Sequence, residues 1–258
     1  MEPITSLLAS QATDSAIGGI ASMFKKHVVE RWTRHRANAF FDEFKRSVHE
    51  SNSEIPSHQL AEMLDKLFTN EMNSEILFDA YRSVCLSRSK DIGPRIIALV
   101  VAEVTLEERD LSENEERMLL AAENLSDSEL TEFYEFTQEQ RSSVINQDCD
   151  ERIFRNGSLR FKWCTEQFDS NWLKTSETPI APLNLATHIG SWAEKLSRYG
   201  LLIDDLTEKQ WDYEEDGERH IDEPGSVRDI TWWIEIPVEG FKLAALIKKI
   251  LDIRGLAA

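Results

Sequence analysis

Through the first 150 residues the apolar side chains return every three or four positions, and that period restricts this half of the chain to packed helices. Asp14 is a suitable cap for a long segment in which Ile17, Ile20, Met23, Phe24, Val28, Trp32, Ala39, Phe40 and Phe44 follow one helical stripe. Ser57 opens a second segment with Leu60, Met63, Leu64, Leu67 and Phe68 on one face. Asn73 starts a third, carrying Ile76, Leu77, Ala80, Tyr81 and Val84. From Ile92 to Val104 the chain is apolar almost throughout. Asp91 and Pro94 sit at its start, where proline is tolerated, and the run is too short and too interrupted for a membrane span. Ser112-x-x-Glu115 and Ser126-x-x-Glu129 then read as capping boxes, in which each side chain satisfies an amide of the other's turn. The expectation for residues 1–150 is a helical bundle.

Beyond Asp150 the pattern changes. Six of the seven tryptophans follow residue 160. Arg152 to Phe161 alternates about Asn156-Gly157, a pair that accepts the positive φ of a two-residue hairpin turn. The stretch from Arg152 to Phe168 is also loosely amphipathic at the helical period, so hairpin and helix both stay open. Thr178-Pro-Ile-Ala-Pro reads as a linker or turn. Leu183 to Tyr199 forms an amphipathic helix with Leu185, Ile189, Trp192, Ala193 and Leu196 inward, stopped by Gly200 in a C-cap position. Leu201-Leu-Ile then reads as a strand, followed by an acidic loop, a second strand from Ile230 to Ile236, and a closing helix from Phe241 to Ile253. Residues 151–258 are therefore expected to be a Trp-rich α+β module, winged-helix-like from about 183, and the whole chain mainly α.

Charge narrows the function classes. With 29 Lys+Arg against 47 Asp+Glu the net charge is −18, which opposes a general polyanion binder. Residues 103–140 hold thirteen acids and two bases, and residues 204–223 ten acids and two bases, so the rest of the chain is close to neutral. A solvated helix face accounts for acids such as Glu107, Glu108, Glu113, Glu115 and Glu116, which the helix dipole favours near an N-terminus. The sharper alternative is an acidic surface that steers a basic partner.

Catalytic signatures are missing. The sequence has no phosphate-cradling glycine loop, no G-x-S-x-G elbow and no His-x-x-x-His pair. Cys85, Cys149 and Cys164 are odd in number and widely spaced, which suits reduced thiols in a cytoplasmic protein. No cofactor, no metal, no membrane association and no enzyme activity are expected.

The candidate partner-binding residues are Trp211, Asp212, Tyr213, Glu214 and Glu215 on the acidic loop, with Trp232 and Trp233 on the strand after it. Aromatic side chains among acids make plausible anchors for a protein partner. Strand alternation turns one of Trp232 and Trp233 into the core and the other outward. The alternative is a DNA-binding regulator that presents His188, Ser191, Lys195 and Arg198 to a groove, although the acidic wing would repel phosphates. Direct nucleic-acid binding is not expected, and homo-oligomerisation is left open.

The run Leu196-Ser-Arg-Tyr-Gly-Leu-Leu-Ile and the later Ile236-Pro-Val-Glu-Gly-Phe-Lys-Leu carry a resemblance. They are similar to the end of abortive-infection proteins of the Abi-alpha kind, in which a helix ends Arg-Leu-Gly-Leu-Ile and a strand runs into Thr-Pro-x-Gly-x-x-Leu. Tyr199 replaces the usual Leu, Ile236 the Thr, and one extra residue separates Pro237 from Gly240. The resemblance implies a role in anti-phage defence or exclusion, of the kind prophages encode. Its implied partner is a phage protein, such as a replication or single-strand DNA-binding protein.

Overall fold

A computed structural model of the chain describes residues 30–51, 71–146, 152–169, 183–213, 225–253 and 255. Among them are eight helices and one four-stranded antiparallel sheet, so the chain is mainly helical with a small sheet in its C-terminal part. It divides into two compact units. The first is Met1–Leu111 with Ala122–Asp127, and the second is Ser112–Ala121 with Ser128–Ala258.

In the first unit, α1 (Glu30–Ser51) and α2 (Glu71–Leu86) pack on each other and on α3 (Ile92–Leu106). The apolar run of α3 is buried on nearly every side, as a helix without a polar face must be. On α1, Phe40, Phe44 and Val48, spaced four apart, are buried in the same unit, as are Ala80 and Val84 on α2. Asp91 occupies the N-cap position of α3, but its side chain makes no capping bond. Its carboxylate holds Arg95 at 3.0 Å. The cap comes from a distant residue. Asp127 accepts the backbone N–H groups of Lys90, Asp91 and Ile92 at 3.1, 3.3 and 2.9 Å, together with the Ser89 hydroxyl. Helix start and carboxylate thus satisfy each other's charge.

The second unit contains most of α4 (Glu113–Asn124) and α5 (Asp127–Asn146), then β1 (Arg152–Arg155), β2 (Ser158–Asp169), α6 (Leu185–His188), α7 (Ser191–Arg198), β3 (Ile203–Tyr213), β4 (Gly225–Ile236) and α8 (Val238–Ile253). The first capping box forms as read: the Ser112 amide donates to Glu115 Oε2 at 2.8 Å, and the Glu115 amide approaches Ser112 Oγ at 3.4 Å. Of the two readings for residues 152–168, the hairpin is adopted. Asn156 and Gly157 sit at φ +52 and +83, the left-handed pair that matches the twist of flanking strands.

Three expectations need correction. Leu183 to Tyr199 is two helices, because Gly190 at φ 147 and ψ 161 breaks the α-helical path. Leu201 and Leu202 are buried in a bend, and the strand begins at Ile203. The acidic stretch after it is β-strand as far as Tyr213, paired residue for residue with β4. The Ser57 segment, the residues before Glu30 and the Thr178 linker lie outside the described residues.

The sheet order is β1-β2-β4-β3. Leu159, Phe161, Ile230, Trp232, Ile234 and Ile236 form its buried face. An aromatic cluster in the same unit joins Phe133 to Trp192 at 5.5 Å, Phe136 to Trp192 at 5.2 Å and Phe136 to Phe161 at 6.0 Å.

Candidate functional site

Strand alternation separates the paired tryptophans. Trp232 turns inward at 8% exposure, and its indole N–H is buried without a hydrogen-bond partner among the described residues. It is a core residue, which removes it from the candidate contact surface. Trp233 turns to the opposite face and is half-buried. Its indole N–H donates to Thr207 Oγ1 at 2.8 Å, and the Arg160 guanidinium lies 5.1 Å from the ring centroid. Arg160 reaches on to Asp205 Oδ2 at 2.7 Å, and Asp205 Oδ1 accepts the Leu206 amide at 2.8 Å. One polar assembly therefore crosses three strands and fixes the indole in place.

The register explains how these residues meet. β2 pairs with β4 and β4 with β3, which sets Trp233 opposite both Lys162 and Asp205. Arg160 and Thr207 were missed by the sequence reading. Their role depends on the strand order β2-β4-β3, in which the sequence-adjacent strands β2 and β3 are not paired with each other. Alternation alone could have marked Arg160 as outward, but not its neighbour.

Trp211, Asp212 and Tyr213 lie on β3, opposite Val227, Ser226 and Gly225, and not on a loop. Glu214 and Glu215 are outside the described residues. β3 is the terminal strand of the sheet and carries Asp204, Asp205, Glu208 and Asp212 against one base, Lys209.

Three of the four residues of the DNA-reading alternative are otherwise engaged. Ser191 Oγ donates to Glu129 Oε1 at 2.8 Å, and Lys195 Nζ meets the same oxygen at 2.5 Å. Arg198 pairs with Glu194 one turn away. His188 is exposed at the end of α6. The acids of residues 103–140 divide likewise. Glu113, Glu116, Glu132, Glu135 and Glu139 are exposed, whereas Glu129 is buried beneath Lys195 and Ser191.

Among the described residues, no group of three or more His, Cys, Asp or Glu is placed to hold a metal ion, and no helix is long and apolar enough to cross a membrane. Burial, reinforced by Glu166, pushes the Cys164 thiol up from its ordinary value, so little of it is the nucleophilic thiolate near neutral pH. Comparison with protein-family models, with curated proteins and with solved structures found no match.

Proposed function

We propose that the chain is a non-enzymatic interaction protein that captures another polypeptide through β3 and the outward face at Trp233. The observation that carries this reading is the acidic terminal strand lying beside a clamped, half-exposed indole. An immobilised aromatic gives contact area at little entropic cost, and surrounding carboxylates speed encounter with a basic partner and reject acidic ones. The order α6, α7, β3, β4, with β2 on the far side of β4, supports a winged-helix-like module used for protein contact. Groove reading is the weaker use, because Lys195 is neutralised by Glu129 and Arg198 by Glu194.

In the version the Abi-alpha resemblance suggests, the protein acts in the cytoplasm in anti-phage defence or exclusion. Its partner is then a phage protein, such as a replication or single-strand DNA-binding protein. The test titrates purified phage replication and single-strand DNA-binding proteins against the full chain and against Asp205→Lys/Glu208→Lys, with plating efficiency of phage on cells expressing each. Partner binding and plaque reduction, both lost in the double variant while circular dichroism shows the fold retained, are expected. Full activity of that variant would overturn the assignment. Tight, salt-steep binding to duplex DNA that disappears in Lys195→Glu would favour the regulator instead.

A further inference from the structure

The edge of a β-sheet is a row of backbone donors and acceptors, and proteins ordinarily blunt it by shortness, a proline, a bulge or an inward lysine. At the β1 end of this sheet the device is shortness: β1 has 4 residues. β2, inside the sheet, is broken by a register shift between Lys162 and Cys164. β3 has neither. It runs for 11 residues without proline or glycine, in unbroken register with β4, and no other strand lies on its far side among the described residues. Typical strands are about half as long. What guards this edge is charge, four carboxylates against the single base Lys209, and Asp205 Oδ1, which holds the Leu206 amide at 2.8 Å.

That charge is arranged by the pleat. Asp204, Leu206 and Glu208 share the face of Trp232, with the half-buried leucine between the two carboxylates and Asp204 Oδ1 accepting the Ser197 hydroxyl at 3.2 Å. Ile203, 41% exposed, begins the other face, followed by Asp205. A second copy of the same strand would bring four carboxylates and one lysine against the same set, in a chain whose net charge is −18. A strand with basic residues flanking an apolar one meets every element of the pattern.

From this we infer that β3 binds its partner by strand addition. The partner supplies an extended segment with the alternation basic, apolar, basic on one face, which pairs backbone to backbone along β3 as a fifth strand. The inference rests on the protein-capture reading above and specifies its mode. Main-chain hydrogen bonds provide the affinity, and Asp204 and Glu208 select the sequence.

The experiment uses the full chain and a short fluorescent peptide built on the repeat Lys-Thr-Val-Thr-Lys, followed by polarisation. Two controls accompany it: an isomer of identical composition with the lysines moved to opposite faces, and a twin N-methylated at alternate amides. The parent peptide should bind at low salt, and each control should bind about tenfold or more weakly, the loss expected for one or two hydrogen bonds or charge pairs. Glu208→Lys, at an exposed position, should reduce parent binding by a similar factor at unchanged melting temperature. Equal binding of all three peptides would overturn strand addition while leaving an acidic contact surface standing. No binding of the parent would overturn it as well. A dimer seen by sedimentation that the peptide does not dissociate would assign the edge to a second copy and also overturn it.

Discussion

Glu43 in the helical unit is shut away from water and holds Arg46 and Arg95, whereas Asp205 in the sheet unit has a half-exposed side chain and holds Arg160. The same side-chain chemistry serves two ends. Removed from solvent, a carboxylate is costly unless its lone pairs are filled, so its partners become part of the fold. Left in solvent, it contributes little stability and stays available to another molecule. Asp127, half-buried, fills the N-terminus of α3, and Glu208 is exposed, as Asp205 is.

The largest effect should come from Glu43→Ala. Two guanidinium groups lose their common acceptor, and because both retain some solvent access the cost is about 3 kcal/mol, at the lower end for a broken buried pair. Denaturant midpoints measure it. A loss below about 1 kcal/mol would erase the contrast between inward and outward carboxylates. Asp127→Ala comes next, at about 2 kcal/mol, because three backbone amides and the Ser89 hydroxyl lose an acceptor together. Asp127→Asn should recover part of that loss, which sharpens the point that charge at a helix start, and not shape alone, is responsible.

Within the sheet unit Gly157→Ala is expected to cost about 1 kcal/mol, from a left-handed backbone and from a methyl that would come 2.9 Å from Val238 Cγ2. Circular dichroism with thermal melting reads it. Partner and peptide binding at β3 should be unchanged, because this turn joins β1 and β2 at the opposite edge.

The contrast between the units also marks what a linear reading can reach. Helices in the first half were legible because residues such as Phe40 and Phe44 repeat at the helical period, and Ser112 with Glu115 make a local capping box. Asn156-Gly157 offered the hairpin for the same local reason. What escaped was long-range. The cap of α3 comes from Asp127, 35 residues after Ile92, and no local pattern announces it. The helix read from Leu183 to Tyr199 breaks at Gly190, whose effect is conformational and leaves the apolar period intact. Asp204 to Tyr213 looked like a loop because four acids and few apolar residues hide an edge strand, one face of which needs no burial at all. Of the candidate residues, Trp211, Asp212 and Tyr213 were thus placed on a loop where the chain forms a strand. Trp232 was in the set but belongs to the core, while Arg160 and Thr207 were left out.

The smallest expected effect is the most discriminating. A double-mutant cycle between Arg160→Ala and Asp205→Ala isolates the ion pair that closes over Trp233, free of each residue's other contacts. Both side chains are partly solvated, at 32% and 52% exposure, so water and salt screen their attraction. The coupling in thermal or denaturant stability should fall below about 1 kcal/mol. Partner binding should respond more strongly to Asp205→Ala than stability does, because the variant both removes an edge charge and releases the arginine that steadies the indole. A coupling as large as the loss at Glu43 would mean that the outward carboxylate is as structural as the buried one. The acidic strand would then have a sufficient explanation within its own sheet, and the case for a partner on β3 would lose the observation that carries it.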